Sequence, residues 1–214
     1  MSAVHSKPSE TTSVELQTAL KEWSAAVDAL AAGQTLMLLR KGGIRERSGQ
    51  FTVADSRVLL YPTYEHQQPH LLKPAYAQQV QPAVSGWHPT VVTLSAWAEI
   101  THIFQLMTAE QVGALLPFHI WTEAFVHERL RWKPQQPLYV LLLRTYRLAT
   151  PLSLTWQPAY GGCRSWLSLP DAVAADTRSP AISEARYQSQ IQAVQQLFLS
   201  FRMSCNGLGA RSVS

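Results

Sequence analysis

The chain has 214 residues, of which 46% are hydrophobic and 15% charged, a balance that excludes an intrinsically disordered protein and suits one folded domain. The formal net charge of +4 permits contact with phosphates without requiring it. Neither Cys163 nor Cys205 belongs to a C-x-x-C pair, which excludes a zinc ribbon, and two reduced thiols explain them more simply than a disulfide.

Neither the N-terminal segment nor any apolar run indicates a membrane protein. Residues 1–12 are polar and contain no apolar stretch of the signal-peptide type, so we expect a frayed tail. Every uninterrupted apolar stretch is shorter than the about 18 residues that a membrane helix needs. We therefore expect a soluble, cytoplasmic protein without membrane contact, and a second disordered tail at residues 204–214.

The folded part is predicted to begin with a helix. From Val14 to Leu30, apolar residues recur near the helical period, Ser13 is a suitable N-cap, and Gly33 is a suitable stop. Two strands are predicted next, one in the apolar run QTLMLLR and one ending in VLLY at Tyr61, and Gly42–Gly43 allow a connection between them. A loop punctuated by prolines follows, which we expect to fold back onto the core.

The second half is predicted to mix strands with helices. Residues 90–106 favour one long or bent strand, residues 137–148 a central strand that SLTW continues or follows, and CRSWLSL a short strand. Thr108 and Gln111 resemble a capping box for a helical segment that Pro117 divides, and a last amphipathic helix begins at Ser183. These elements predict one α+β domain over residues 13–203, with a mainly antiparallel sheet or a small barrel and flanking helices.

Sequence motifs of common enzymes and cofactor sites are absent. The chain has no G-x-x-x-x-G-K-[ST] or G-x-G-x-x-G loop and no nucleophile elbow, and no carboxylate is followed two residues later by the lysine of a restriction-type nuclease. His119, Glu123 and His127 are spaced i, i+4 and i+8, so one helical face could present them to a metal. Partly buried histidines on an aromatic helix are the commoner explanation, and we expect no cofactor or metal.

Charged and aromatic side chains cluster where the first two predicted strands end. One strand ends in basic residues around Gly42–Gly43, whose backbone amides can approach an anion, and arginine can bind phosphate through two hydrogen bonds. The other ends in rings that can stack on a base and a carboxylate that can accept from an exocyclic amine. Alternatively, the rings pack beneath the loop and the charges face water. The predicted ligand-binding residues are Arg40, Lys41, Arg45, Tyr61, Tyr64, Glu65, His66 and Arg164.

Seven stretches of the sequence together resemble a bacterial domain family of unknown function that is common in cyanobacteria. The resemblance runs from about Leu20 to about Phe201 and implies no activity or catalytic residue that can be transferred to this chain. Relatives that occur alongside restriction-endonuclease-like domains imply biology related to nucleic acids. The stretches are LRKGGIRE, LLYPTYEHQ, LLKP, SAWAEIT, LLPFHIW, RWKPQQPLYVLLLR and YGGCRSW.

A shorter stretch, DALAAGQTLMLLR, is similar to the helix-then-strand entry of PUA-like domains, including the ASCH type. That resemblance implies a small β-barrel with flanking helices that binds RNA or modified bases. It agrees with the fold class predicted from the elements, and it adds a ligand class to the basic and aromatic residues at the strand ends.

Three functional hypotheses follow, and whether the protein is an enzyme stays open. The first is binding of nucleic acid or a nucleotide through the basic and aromatic residues. The second is a hydrolytic or nuclease-like enzyme using Glu46, Glu65, His66 and Cys163, although the glycines before Cys163 more often mark a tight turn. The third is a protein-interaction module whose docking face is the aromatic segment 118–132, with partners that the sequence does not identify.

Overall fold

The computed structural model describes residues 13–41, 45–47, 50–52, 55–162 and 164–207, with the backbone alone described at 45–47, 50–52 and 202–207. These residues form eight strands, five α-helices and three short 3-10 turns. The strands are β1 (Ser13–Trp23), β2 (Met37–Arg40), β3 (Arg45–Arg47), β4 (Gln50–Thr52), β5 (Arg57–Thr63), β6 (Val91–Leu106), β7 (Leu138–Thr155) and β8 (Trp166–Asp176). The helices are α1 (Ser24–Ala31), α2 (Pro74–Ala77), α3 (Ala109–Gly113), α4 (Glu123–Arg131) and α5 (Glu184–Gly207).

Six strands form one mixed sheet in the order β2-β7-β6-β5-β1-β8, and β3 pairs with β4 separately. Within the described sheet β1 and β5 run parallel, whereas the other neighbouring strands are antiparallel. The sheet curls, since the end of β2 approaches β1 although three strands separate them in the sheet: Arg40 of β2 donates a hydrogen bond to the Lys21 carbonyl of β1 over 3.0 Å. The predicted α+β class, with a mainly antiparallel sheet and flanking helices, is confirmed.

The predicted first helix is wrong over its first half. Ser13–Trp23 forms β1, in which Val14 and Leu16 are buried and the residue between them is exposed. This alternation has the strand period of two, and β5 and β8 pair with β1 on its two sides. The helix begins only at Ser24, so Ser13 is no N-cap, and it is followed by Gly33 in the left-handed conformation, as predicted.

Most of the later elements confirm the prediction. β6 is one strand of 16 residues, β7 continues past Pro151 to a length of 18, and Thr108 with Gln111 forms a capping box. Pro117 lies in a 3-10 turn between α3 and α4. α5 extends to Gly207, into the segment predicted to be a tail, and the remaining tail residues 1–12 and 208–214 lie outside the described ones. No described helix is both long and apolar enough to cross a bilayer.

The two faces of the sheet carry separate apolar clusters. On β5, Leu60 belongs to the larger cluster, which α1, α4 and α5 cover, whereas Leu59 and Tyr61 belong to the smaller one. The paired residues of β1 divide in the same way, with Leu20 in the larger cluster and Ala19 in the smaller. Because successive side chains of a strand point to opposite faces, the polar ends of β1 and β5 are divided too. This division decides which predicted site residues can meet.

Candidate functional site

Tyr61 lies at the base of a cavity of about 270 Å³ on the face of the sheet that carries the smaller apolar cluster. Three segments build the wall: the end of β5, the loop before β6, and the loop after β7. β6 and β7 hold the two loops together, because their register places Val91 opposite Thr155. We call this the aromatic cavity, since six rings line it: Tyr61, Tyr64, Trp87, His88, Trp156 and Tyr160.

The rings of the aromatic cavity contact one another in pairs. His88 and Trp156 are stacked, with their centroids 3.3 Å apart and their planes within 6° of parallel. Tyr64 meets Trp87 edge to face at 5.8 Å. Trp87 is 46% exposed although it is a large hydrophobic residue, so part of its ring is open to solvent. Exposed ring faces of this kind stack readily on flat ligands.

Lys21 fixes the loop that closes one side of the aromatic cavity. Its ammonium donates to the carbonyl oxygens of Tyr160 at 2.6 Å and Gly162 at 3.0 Å. Gly162 has φ +74°, which side-chain-bearing residues rarely adopt, and a Cβ at Gly161 would lie 3.3 Å from the Pro158 oxygen. The two glycines predicted to mark a tight turn therefore do so, and they let the loop approach the rings.

The hydroxyl of Tyr61 has no hydrogen-bond partner among the described residues, although the side chain is only 3% exposed. Burial, with a smaller contribution from Tyr160 and Tyr64, raises the pKa of Tyr61 to about 12. Burial also raises the pKa of Tyr64, and the nearby Asp28 carboxylate adds to that rise. Both phenols stay neutral near pH 7 and keep their protons for donation to a hydrogen-bond acceptor.

Arg40 and Lys41, predicted to join the Tyr61 segment in one pocket, are absent from the described lining of the aromatic cavity. Arg40 forms an ion pair with Glu22 at 2.7 Å. Glu22 follows Lys21 on β1, so its side chain points away from the face that carries Tyr61. Lys41 is buried, and burial lowers its pKa. The expected convergence fails at these two residues because strand alternation directs Glu22, and with it Arg40, to the other face.

The remaining predicted site residues are divided as well. Tyr64 and Glu65 line the aromatic cavity, whereas His66 lines a separate groove, with its Nε2 3.8 Å from a carboxylate oxygen of Glu65. Arg164 is exposed, and its amide donates to the Gly162 carbonyl at 2.9 Å beside the cavity loop. The side chain of Arg45 and all of Gly42–Gly43 lie outside the described residues.

The structure tests the interaction-module hypothesis more fully than the hypothesis of a hydrolytic enzyme. Of the four residues considered for hydrolysis, Glu65 and His66 are sequence neighbours, whereas Cys163 and the Glu46 side chain lie outside the described part of the chain. Trp121 and Phe125 are buried whereas Trp132 is 50% exposed, so the segment 118–132 presents one largely exposed ring rather than a continuous aromatic docking face.

His119, Glu123 and His127 in the same segment do not share one helical face. α4 begins at Glu123, and His119 precedes it in extended backbone. The i, i+4, i+8 rule applies only within one helix. The alternative, partly buried histidines on an aromatic helix, holds only for the burial of His119, because His127 on α4 is exposed.

The lining residues that sequence reasoning missed include five with charged or aromatic side chains: Lys21, Trp87, His88, Trp156 and Tyr160. Trp87 and His88 lie between Gly86 and Pro89 in a loop, where an aromatic pair is not part of a strand or helix that packs on the core. This position in the sequence could have indicated that the two rings line a site. Trp156 and Tyr160 follow the predicted strand continuation SLTW. Nothing local connects the two segments, because only the pairing of β6 with β7 brings them together.

Comparisons with known proteins add a family but no function. The model of a domain of unknown function, DUF1802, matches residues 19–193. No curated protein matches the sequence. Three crystal structures of the ASCH protein from Zymomonas mobilis, two of them mutants, are similar at 11–12% identity, with 71% of this chain and 86–88% of theirs covered and a TM-score of 0.43.

Proposed function

Since the chain belongs to the DUF1802 family, a family of domains of unknown function, we propose a function from the site alone: the aromatic cavity binds one base of a nucleotide or a nucleic acid. The single observation that carries this proposal is the convergence of six rings from three separate segments on one small cavity. Binding of one base by stacking uses ring faces in this way, and stacking tolerates any base because each has a flat π-face.

The charges of the aromatic cavity favour a neutral ring over a phosphate. Among the described lining residues, Lys21 and Glu65 are the charged ones apart from the histidine, and they balance each other. The Lys21 ammonium is already held by two carbonyl oxygens. The phosphate of a nucleotide would therefore point outward, where Arg164 is exposed beside the cavity loop and can bind it through two hydrogen bonds. A volume of about 270 Å³ is just below the about 300–1,000 Å³ of pockets for drug-sized ligands, which suits a base better than a whole dinucleotide.

Glu65 and the two phenols provide the polar contacts that orient a base. A carboxylate accepts from an exocyclic amine, which adenine, cytosine and guanine have and uracil lacks. Tyr61 and Tyr64 stay neutral and can donate to ring nitrogens or carbonyl oxygens. The proposal therefore includes a preference for bases that carry an exocyclic amine.

Equilibrium titration of the four ribonucleoside monophosphates against the protein and its Trp87→Ala variant tests the proposal. Loss of one stacking platform costs about 1–3 kcal/mol, so affinity should fall about 5- to 150-fold. Met107→Ala is the control, because Met107 is also about half exposed but does not line the described part of the aromatic cavity. No measurable binding of any of the four at low salt, or equal losses in both variants, would contradict the proposal.

A further inference from the structure

We infer that the groove beside the aromatic cavity is a second nucleotide subsite, so that the ligand is a single-stranded nucleic acid rather than a free nucleotide. This inference rests on the proposed function of the aromatic cavity. We call this groove, of about 300 Å³, the Trp132 groove. Its lining includes Trp23, His66, Gln68, Leu71, Arg129 and Trp132.

Trp132 gives the Trp132 groove an exposed ring beside cations. Its side chain is 50% exposed at the C-terminal end of α4, and the Lys133 ammonium lies 4.6 Å from its ring centroid. The Arg129 guanidinium lies 4.9 Å from the centroid of the buried Phe125 ring, which holds it in place. A base stacked on an indole, with its phosphate between a lysine and an arginine, needs this combination.

The charges around the Trp132 groove leave one excess positive charge. Arg40 and Glu22 neutralise each other in their ion pair. Burial lowers the pKa of Arg129, and Glu22 and Glu128 oppose this change whereas Arg40 adds to it. Glu128 also lines the groove and balances Arg129, so the excess charge is that of Lys133 beside Trp132. With Lys133 added, this surface is complementary to a phosphate backbone.

The backbone gives a second, independent indication at the same place. Among the described residues other than glycine, positive φ occurs at His66 (60°) and Lys133 (50°). His66 lines the Trp132 groove and Lys133 covers its tryptophan. Left-handed backbone is disfavoured for such residues and is concentrated at binding sites, where the surrounding structure maintains it. The side chain of His66 lines the groove, and that of Lys133 lies over the Trp132 ring.

The aromatic cavity and the Trp132 groove lie on opposite faces of the sheet and adjoin just after β5, where Glu65 and His66 follow each other. Glu65 lines the former and His66 the latter, and the two side chains meet at 3.8 Å. On β1, Lys21 and Trp23 are likewise divided between them, two residues apart. A mononucleotide whose base fills the aromatic cavity leaves the Trp132 groove empty. A strand of a few nucleotides places one base in each and its backbone over the segment between them.

The test compares a mononucleotide with oligonucleotides of two to six residues that carry the same base, using Trp132→Ala and Lys133→Asn. Asparagine tolerates the left-handed backbone and removes the charge together with most of the side chain. The oligonucleotide should bind the unaltered protein at least about 5-fold more tightly than the mononucleotide, and Trp132→Ala should weaken oligonucleotide binding about 5- to 150-fold and mononucleotide binding by less. Lys133→Asn should reduce the salt dependence of oligonucleotide binding by about one phosphate contact.

Two control variants are matched to these changes. Leu199→Ala removes an exposed apolar side chain of α5, and Arg186→Gln removes an exposed charge of α5. Neither should affect oligonucleotide binding, and thermal unfolding confirms that each variant is folded. Equal affinity for mononucleotide and oligonucleotide, with no effect of Trp132→Ala, overturns the second subsite and leaves the proposed function standing. Absence of binding to both ligands overturns the two together.

Discussion

Lowering the pH through the range from 6.5 to 4 should destabilise the protein through His119. This side chain is 3% exposed, and both of its ring nitrogens lack a hydrogen-bond partner among the described residues. Burial, together with the ammonium of Lys73, lowers the pKa of His119 to about 4. Lys73 stays close because it donates to the His119 carbonyl oxygen at 2.5 Å. The imidazole is therefore buried in its neutral form.

The sign and size of this effect follow from proton linkage. Between pH 6.5 and 4 the unfolded chain binds a proton at His119 and the folded chain does not, so stability falls as the pH falls. The contribution of His119 to the free energy of unfolding is fully present above pH 6.5 and is lost once the pH is below about 4. Because the pKa of His119 falls from 6.5 in the unfolded chain to about 4 in the folded one, the linkage is worth about 3 kcal/mol in the free energy of unfolding.

Urea unfolding of the native protein and His119→Leu at pH 7, 6, 5 and 4 measures this contribution. The native protein should lose about 3 kcal/mol more than the variant across this range, because the carboxylates contribute equally to both. At pH 7 the variant should be about as stable, since among the described residues the neutral ring has only a weak contact with the Trp121 backbone to lose. His127→Gln, at an exposed histidine of α4, is the control and should follow the native curve. Parallel curves for the native protein and His119→Leu would refute the reasoning.

Three further predictions concern the surroundings of the two sites. The side chains of Glu22 and Arg40 are 13% and 10% exposed, so Glu22→Gln leaves Arg40 nearly buried without its carboxylate and should lower the free energy of unfolding in urea by about 3–5 kcal/mol. The double variant Glu22→Leu, Arg40→Met should recover most of that loss, and an equally unstable double variant would disprove the charge argument. Glu65→Gln should reduce affinity for adenosine and cytidine monophosphates several-fold in calorimetric titration and leave uridine monophosphate unchanged; a uniform loss would remove the carboxylate from base recognition. Gly162→Ala should destabilise the fold by about 1–2 kcal/mol because its φ of +74° is strained for alanine, whereas alanine at the exposed Gln157 should change thermal unfolding little; no difference between them would contradict this.

The sequence predicts strands and helices well where one periodicity dominates, and fails where two overlap. β6 and β7 are long β-branched or apolar runs, and their length excludes most alternatives. In the segment from Val14 to Leu30, apolar residues satisfy period two first and a helical period afterwards, so a single helix fits the whole window almost as well. Pairing with β5 and β8, which no local pattern reveals, decides the first half as a strand.

The candidate site could be predicted only where its residues are neighbours in sequence. Tyr61, Tyr64 and Glu65 lie at or just after the end of one strand, and all three line the aromatic cavity. The prediction that Arg40 joins the same pocket treats its charge as free. Its partner Glu22 lies in the segment predicted as a helix, and only the strand pattern of β1 puts Glu22 and Lys21 on opposite faces.

Indole N–H resonances of the seven tryptophans, followed in ¹H–¹⁵N spectra during addition of adenosine monophosphate, test most directly whether the aromatic cavity binds a base. Trp87 and Trp156, assigned by single substitution, should shift progressively because a stacked base changes the ring currents at both. Trp121, buried in the apolar cluster on the other face of the sheet, should not move. Shifts confined to tryptophans outside the aromatic cavity, or none at millimolar ligand, would contradict the account.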